Sequence, residues 1–235
     1  MHITDFSLVS GPNAASSHGL HVVVIDYDFG NVRSVVNALE VLGAQVVVSR
    51  RESDLRQADC LVLPGVGAFA EGMANLQRFG LIPILNELVL QQKKPFLGIC
   101  VGMQLLAQKS YEDGEFEGLG WLDADVVRLN VEDQNLKVPH VGWNDVMACR
   151  DSSLLGKTGE QHTFYFVHSY YLQCREPEIV MGQCEYGLHV PAVIQKENIM
   201  AVQFHPEKSQ RDGLRLLANF MNQVSPAALV EDQAC

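Results

Sequence analysis

Four times in its first 110 residues the chain repeats one pattern: a short apolar run, a turn, then a helical stretch. His21 to Asp26 is a β-branched run suited to a strand buried on both faces. Asp28 to Asn31 forms a turn. Val32, Val35, Val36, Leu39 and Leu42 then fall at helical spacing, with Gly43 as the stop. Ala44–Ser49 and Asp59–Pro64 read as the second and third strands. Phe69 to Gln92 carries helical periodicity interrupted near Gly80 and Pro83. Pro95–Ile99 ends a fourth strand, and Met103–Ala107 reads as the next helix. Strands alternating with helices build a parallel sheet with right-handed crossovers. The expected fold is therefore α/β: an open, doubly wound, mostly parallel sheet with helices on both faces.

The second half changes character. Asp125–Leu129, Thr163–Val167, Ile179–Cys184, Val193–Gln195 and Ile199–Phe204 read as short strands separated by turn residues, and Gly213–Asn222 as a final helix. This predicts an antiparallel addition to the same domain. A Ser-, Asn-, Gly- and Pro-containing stretch between residues 10 and 19 marks residues 1–19 as a flexible N-terminal arm. The single domain then spans 20–223, and 224–235 is a tail without a core pattern.

Composition excludes several classes of function. The net charge of -11 argues against a broad nucleic-acid or anionic-membrane surface. No apolar run approaches the roughly 18 residues of a membrane span. The N-terminus lacks the basic region and apolar core of a signal peptide. Six cysteines without a C-x-x-C pair make zinc or dithiol chemistry a poor reading, and no metal or cofactor is expected. Their irregular spacing points to reduced thiols and a cytoplasmic setting.

Chemistry concentrates at Gly98-Ile99-Cys100-Val101-Gly102. A thiol between glycines at a strand–helix junction has the layout that lifts a nucleophile clear of its neighbours. A helix N-terminus behind it favours the thiolate. The competing reading is a small buried core residue in a tight turn. A nucleophilic thiol needs an imidazole, and the imidazole needs an orienting group. Of eight histidines, His205 stands out in Val202-Gln203-Phe204-His205-Pro206-Glu207, where an apolar strand meets a proline. Glu207, two residues on in an extended segment, shares a side with His205 and reaches it. Oxyanion donors are expected from the Val101 amide and from Pro64-Gly65-Val66-Gly67, at the end of the preceding strand. A phosphate nest is the other reading of that turn, but no P-loop lysine follows it.

Leu97 to Leu106, together with Gln203 to Ser209, resembles the class I, triad-type glutamine amidotransferases. Within that family, residues 21–222 are similar to the glutaminase subunits of imidazole glycerol phosphate synthase. The narrowing motifs are Asp26 to Asn31 with Ser34-Val35, Leu63 to Phe69, Val138 to Asn144, and Tyr165 to Tyr170. The resemblance implies that Cys100 attacks the side-chain amide of glutamine, His205 moves the proton and Glu207 orients His205. It implies oxyanion amides at Val66 and Val101, and glutamine contacts at Gly67, Gln104, Glu112, Ser169 and Tyr170. A Glu112 carboxylate suits the substrate ammonium. It further implies a heterodimer with a (β/α)8-barrel cyclase subunit. That subunit uses the ammonia to make imidazole glycerol phosphate and aminoimidazole carboxamide ribotide in histidine biosynthesis. Asn31, Pro139, His140, Trp143, Tyr165 and Lys208 would face this partner. The alternative is a paralogous amidotransferase feeding another synthase, such as a surface-polysaccharide sugar-modifying enzyme. One departure lies inside the motifs: Asp28 stands where the family commonly has Gly, so a changed turn or interface charge is expected there.

Overall fold

The computed structural model describes residues 19–224. The expected arm and tail therefore fall outside the described residues, except for Gly19 and Val224 at their inner ends. The first half follows the βα order: β1 (His21–Ile25), α1 (Val32–Val41), β2 (Gln45–Ser49), α2 (Glu52–Gln57), β3 (Cys60–Gly65) and α3 (Phe69–Arg78). After them come α4 (Leu81–Leu85), a π-helical turn over Asn86–Gln91, β4 (Phe96–Cys100) and α5 (Val101–Gln104). α1 buries Val35, Ala38 and Leu39, and Gly43 ends it with φ +90°. Between α3 and α4 the break falls at Gly80, in the left-handed region at φ 65°. Pro83 does not break the helix. It sits in the first turn of α4, where its missing N–H costs no helical hydrogen bond.

β2, β1, β3, β4 and β13 (Ile199–Val202) form a parallel half-sheet in that order. The chain places β2 on one side of β1 and β3 on the other, which is the doubly wound arrangement. β12 (His189–Lys196), β11 (Val180–Glu185), β8 (His140–Ala148) and β9 (Gln161–His168) continue the same nine-stranded sheet antiparallel. α1 lies against the final helix α6 (Gln210–Val224), and α3 lies against α4 and α5. β3 and β4 are buried along their whole length, because both faces of the sheet are covered there.

A second sheet departs from the expectation of one antiparallel addition. β10 (Tyr170–Cys174), β7 (Ala124–Arg128), β5 (Lys109–Ser110) and β6 (Phe116–Glu117) form a separate four-stranded layer. The helix expected over Met103–Ala107 is also displaced: α5 begins at Val101 and stops at Gln104. The carbonyls of Leu105, Leu106 and Ala107 instead accept hydrogen bonds from the backbone N–H groups of Leu119, Trp121 and Gly120. That loop ends the helix by supplying donors from outside it.

Register delivers the site. Gly65 pairs with Cys100, and Val202 with Ile99. The carboxyl ends of β3, β4 and β13 therefore finish side by side, at the edge where ligands bind in open α/β sheets.

Candidate active site

Cys100 closes β4 with φ 55° and ψ −112°, a backbone conformation that L-residues rarely adopt. Packing imposes it. A Cβ at Gly102 would be driven into the Leu63 carbonyl of β3, and one at Gly98 would meet the Gly102 carbonyl oxygen at 2.8 Å. Glycine at both positions lets α5 begin directly against the sheet. Cys100 is 3% exposed. Its sulfur lies 3.9 Å from Gln203 Nε2 and 4.0 Å from the Val167 carbonyl oxygen.

His205 leaves β13 with its N–H donating to the Tyr165 carbonyl of β9 at 2.9 Å. The next residues do not stay extended, as the sequence reading expected. Pro206–Lys208 form a 3-10 turn, and it is this turn that brings Glu207 back to the ring. Nδ1 lies 2.8 Å from Glu207 Oε1, and both side chains are almost wholly buried. A carboxylate only accepts, so Nδ1 carries the proton. Nε2 is buried and has no hydrogen-bond partner among the described residues, although the Cys100 sulfur is close enough to act on its charge. Burial alone disfavours the imidazolium. The hydrogen bond to Glu207 and the charges of Glu207 and Cys100 outweigh it, and the His205 pKa is pushed up to about 9. A protonated His205 beside Cys100 is an acid at neutral pH.

These groups open onto a cavity of about 280 Å³, at the small end of the range for ligand pockets. Its lining brings together Val66, Gly67, Cys100, Val101, Gln104, Glu112, Ser169, Tyr170 and His205. Gly67, at φ +131°, packs against the Phe29 ring, so the turn after β3 has no room for a side chain there. Gln104 is 3% exposed, and both its amide hydrogens are engaged: one on the Tyr170 carbonyl at 2.9 Å, one on Gln203 Oε1 at 3.0 Å. Only its carbonyl oxygen is left for a ligand. Glu112 accepts the Phe69 N–H at 2.7 Å, which satisfies an orphan donor at the start of α3. Burial raises its pKa.

Of the residues expected to face a partner, Asn31, Pro139, Trp143 and Lys208 are exposed and Tyr165 is half-buried against Trp143. His140 is different. It is 3% exposed, stacked on Phe166 and Tyr186, and hydrogen-bonded to His168. The alternation of β8 turns it inward, so no partner reaches it. Gln203, Val167 and His168, which also meet the cavity or the thiol, did not emerge from sequence reasoning as site residues. For Gln203 the signal was available: it lies two residues before His205. Among the described residues, no group of three or more His, Cys, Asp or Glu side chains is placed to hold a metal ion. No helix there is long and apolar enough to cross a membrane.

Comparison with known proteins follows the same lines. The family described as glutamine amidotransferase class-I matches residues 23–224. The chain is 48% identical over 199 residues to imidazole glycerol phosphate synthase subunit HisH 1 of Campylobacter jejuni, covering 85% of this chain and 98% of that one. It is 44% identical over 203 residues to subunit HisH 2 of Pseudomonas aeruginosa, covering 86% and 100%. Among solved structures, PurLQS of Thermotoga maritima superposes with a TM-score of 0.69 at 16% identity, covering 87% of this chain and 99% of the matched one, a likeness of fold alone. With the family match spanning nearly all the described residues and relatives aligned almost end to end, the chain belongs to the class I glutamine amidotransferases.

Proposed function

We propose that this chain is the glutaminase subunit of an imidazole glycerol phosphate synthase. Its Cys100 thiolate attacks the side-chain amide carbon of glutamine. Charge moves onto the amide oxygen, where the amides of Val66 and Val101 receive it. His205 gives its Nε2 proton to the departing nitrogen, and ammonia leaves as the tetrahedral intermediate collapses to a γ-glutamyl thioester. His205, now neutral, takes a proton from water as that water attacks the thioester. A second collapse releases glutamate and returns the Cys100 thiolate beside a protonated His205. Glu207 keeps the ring in the tautomer that both steps require. Gly67, Gln104, Glu112, Ser169 and Tyr170 hold the glutamine, with Glu112 opposite its ammonium.

The observation that carries this reading is the strand register that brings Cys100 and His205 onto one small cavity, with Glu207 hydrogen-bonded to the imidazole. The ammonia goes to a cyclase subunit bound as a heterodimer in the cytoplasm. Asn31, Pro139, Trp143, Tyr165 and Lys208 face that subunit. The test is glutamine hydrolysis and imidazole glycerol phosphate formation, with and without purified cyclase. We expect product only with both proteins, a rise in glutamine turnover on mixing, and loss of both with Cys100→Ala at unchanged folding. Glutaminase activity surviving in Cys100→Ala would end the mechanism. Failure of the cyclase to bind or raise turnover would assign the ammonia to another synthase.

A further inference from the structure

The hydrogen bonds that begin at Cys100 run well beyond the cavity. Gln203, fully buried, donates from Nε2 to the sulfur and accepts at Oε1 from Gln104. Gln104 donates its other amide hydrogen to the Tyr170 carbonyl, and His168 Nδ1 lies 2.9 Å from the same oxygen. A carbonyl only accepts, so His168 carries its proton on Nδ1. In a neutral ring its Nε2 then accepts. The group facing Nε2 is His140 Nδ1, 3.1 Å away, which must donate. His140 Nε2 is left as an acceptor, 3.3 Å from Asn144 Nδ2, which also donates to the Glu185 carbonyl at 3.0 Å. One fixed acceptor, the Tyr170 carbonyl, thus settles both tautomers, and every donor in the series has an acceptor. Burial keeps the rings uncharged, lowering His140 to about 4 and His168 to about 3. Stacking on Phe166 and Tyr186, with centroids 4.8 and 3.9 Å apart, fixes the His140 plane.

We infer that His140 and His168 are positioning residues: a neutral, one-directional imidazole pair that holds Ser169–Tyr170 and, through Gln104 and Gln203, the sulfur of Cys100. The inference rests on the glutaminase reading for its kinetic consequence, but not for its tautomers. It ties β8 and β9, whose outer faces carry Trp143 and Tyr165, to the cavity by hydrogen bonds alone. Rings that only filled space would need no particular tautomer.

Long-range ¹H–¹⁵N correlation of the full chain at pH 7 reads the tautomers directly. Both rings are expected neutral and protonated on Nδ1, against the Nε2 preference of a solvated imidazole. An Nε2–H or charged His168 overturns the inference. Kinetics with the cyclase present supply the second reading. His168→Leu removes the donor to Tyr170 and should raise KM for glutamine about tenfold, with a smaller change in kcat. His168→Asn returns an amide N–H near the Nδ1 position and should bring KM back to within about threefold of the parent. A folded His168→Leu with KM within twofold of the parent overturns the positioning role. If His168→Leu does not fold, the spectrum of the unsubstituted chain still decides. If the unsubstituted pair of proteins turns over no glutamine, the glutaminase reading fails while the tautomers stand.

Discussion

Substituting Gly102 by alanine tests whether packing behind the nucleophile sets its geometry. The added methyl would be built into the Leu63 carbonyl, on a strand buried along its whole length. The obstacle is backbone at the centre of a sheet, so no side-chain rotation relieves it. Either β3 or α5 must move. Overpacking of this kind costs about 1–3 kcal/mol. At roughly 2–4 °C per kcal/mol for a domain of this size, Tm should fall by about 2–12 °C. The effect on turnover should be larger. Cys100 lies two residues before Gly102, and its sulfur must reach the amide carbon in a near-attack geometry. A displacement of about 1 Å costs on the order of 100-fold. Gly80→Ala is the control. Its φ of +65° penalises a side chain by about 1–2 kcal/mol, but the methyl meets nothing within 4 Å and the site lies elsewhere. Both variants should therefore lose stability by comparable amounts, and only Gly102→Ala should lose glutaminase activity. Thermal unfolding and cyclase-stimulated glutamate release measure the two effects. A Gly102→Ala protein with the parent's Tm and turnover would refute the packing argument, and equal activity losses in both variants would refute its localisation.

Three further outcomes follow from the same geometry. Glu207→Gln keeps the shape of the side chain but removes the charge that faces His205 Nδ1, and kcat should drop by about 100-fold or more with little change in KM; a loss below tenfold would remove Glu207 from the mechanism. His205 is held protonated up to about pH 9, above its ordinary 6.5, so its capacity to protonate departing ammonia is present below that pH and lost above it. The kcat/KM profile should accordingly fall through about pH 9, and a descending limb centred near 6.5 would contradict the coupling to Cys100 and Glu207. Glu112→Gln retains an acceptor for the Phe69 N–H but not the charge, so KM for glutamine should rise about tenfold at nearly constant Tm; an unchanged KM would place the substrate ammonium elsewhere.

What the sequence discloses depends on how far a residue's partners lie along the chain. In the first half each strand finds its neighbour within a few dozen residues, and runs such as Val22 to Ile25 are buried on both faces, so composition alone marks them. The turn at Cys100 is only partly local: Gly98 answers to the helix that follows it, but Gly102 answers to the Leu63 carbonyl on the neighbouring strand β3. β8 was hidden for a different reason. Gly142, Asn144 and Asp145 interrupt the apolar pattern, and the stretch reads as a motif in a loop. Yet its burial alternates, with His140, Val146 and Ala148 inside and Val141, Trp143 and Met147 exposed. Read with a period of two, the same residues would have separated His140 from Trp143 and kept His140 from being assigned to a partner. The four-stranded second sheet offers even less, since β5 and β6 are two residues each and exist only by pairing. Asp28 is the converse case, a position the sequence singles out and whose surroundings the structure supplies. Its φ of 56° is one that glycine adopts freely, so a glycine at this position would fit the same turn. The carboxylate is then taken up outside the turn, bonded to both Arg50 and Arg78, whose guanidinium groups lie over the Phe79 ring at 3.9 and 4.3 Å. The Asp28 charge is thus met within the chain itself. The same turn, through Phe29, still supports Gly67 at the edge of the cavity.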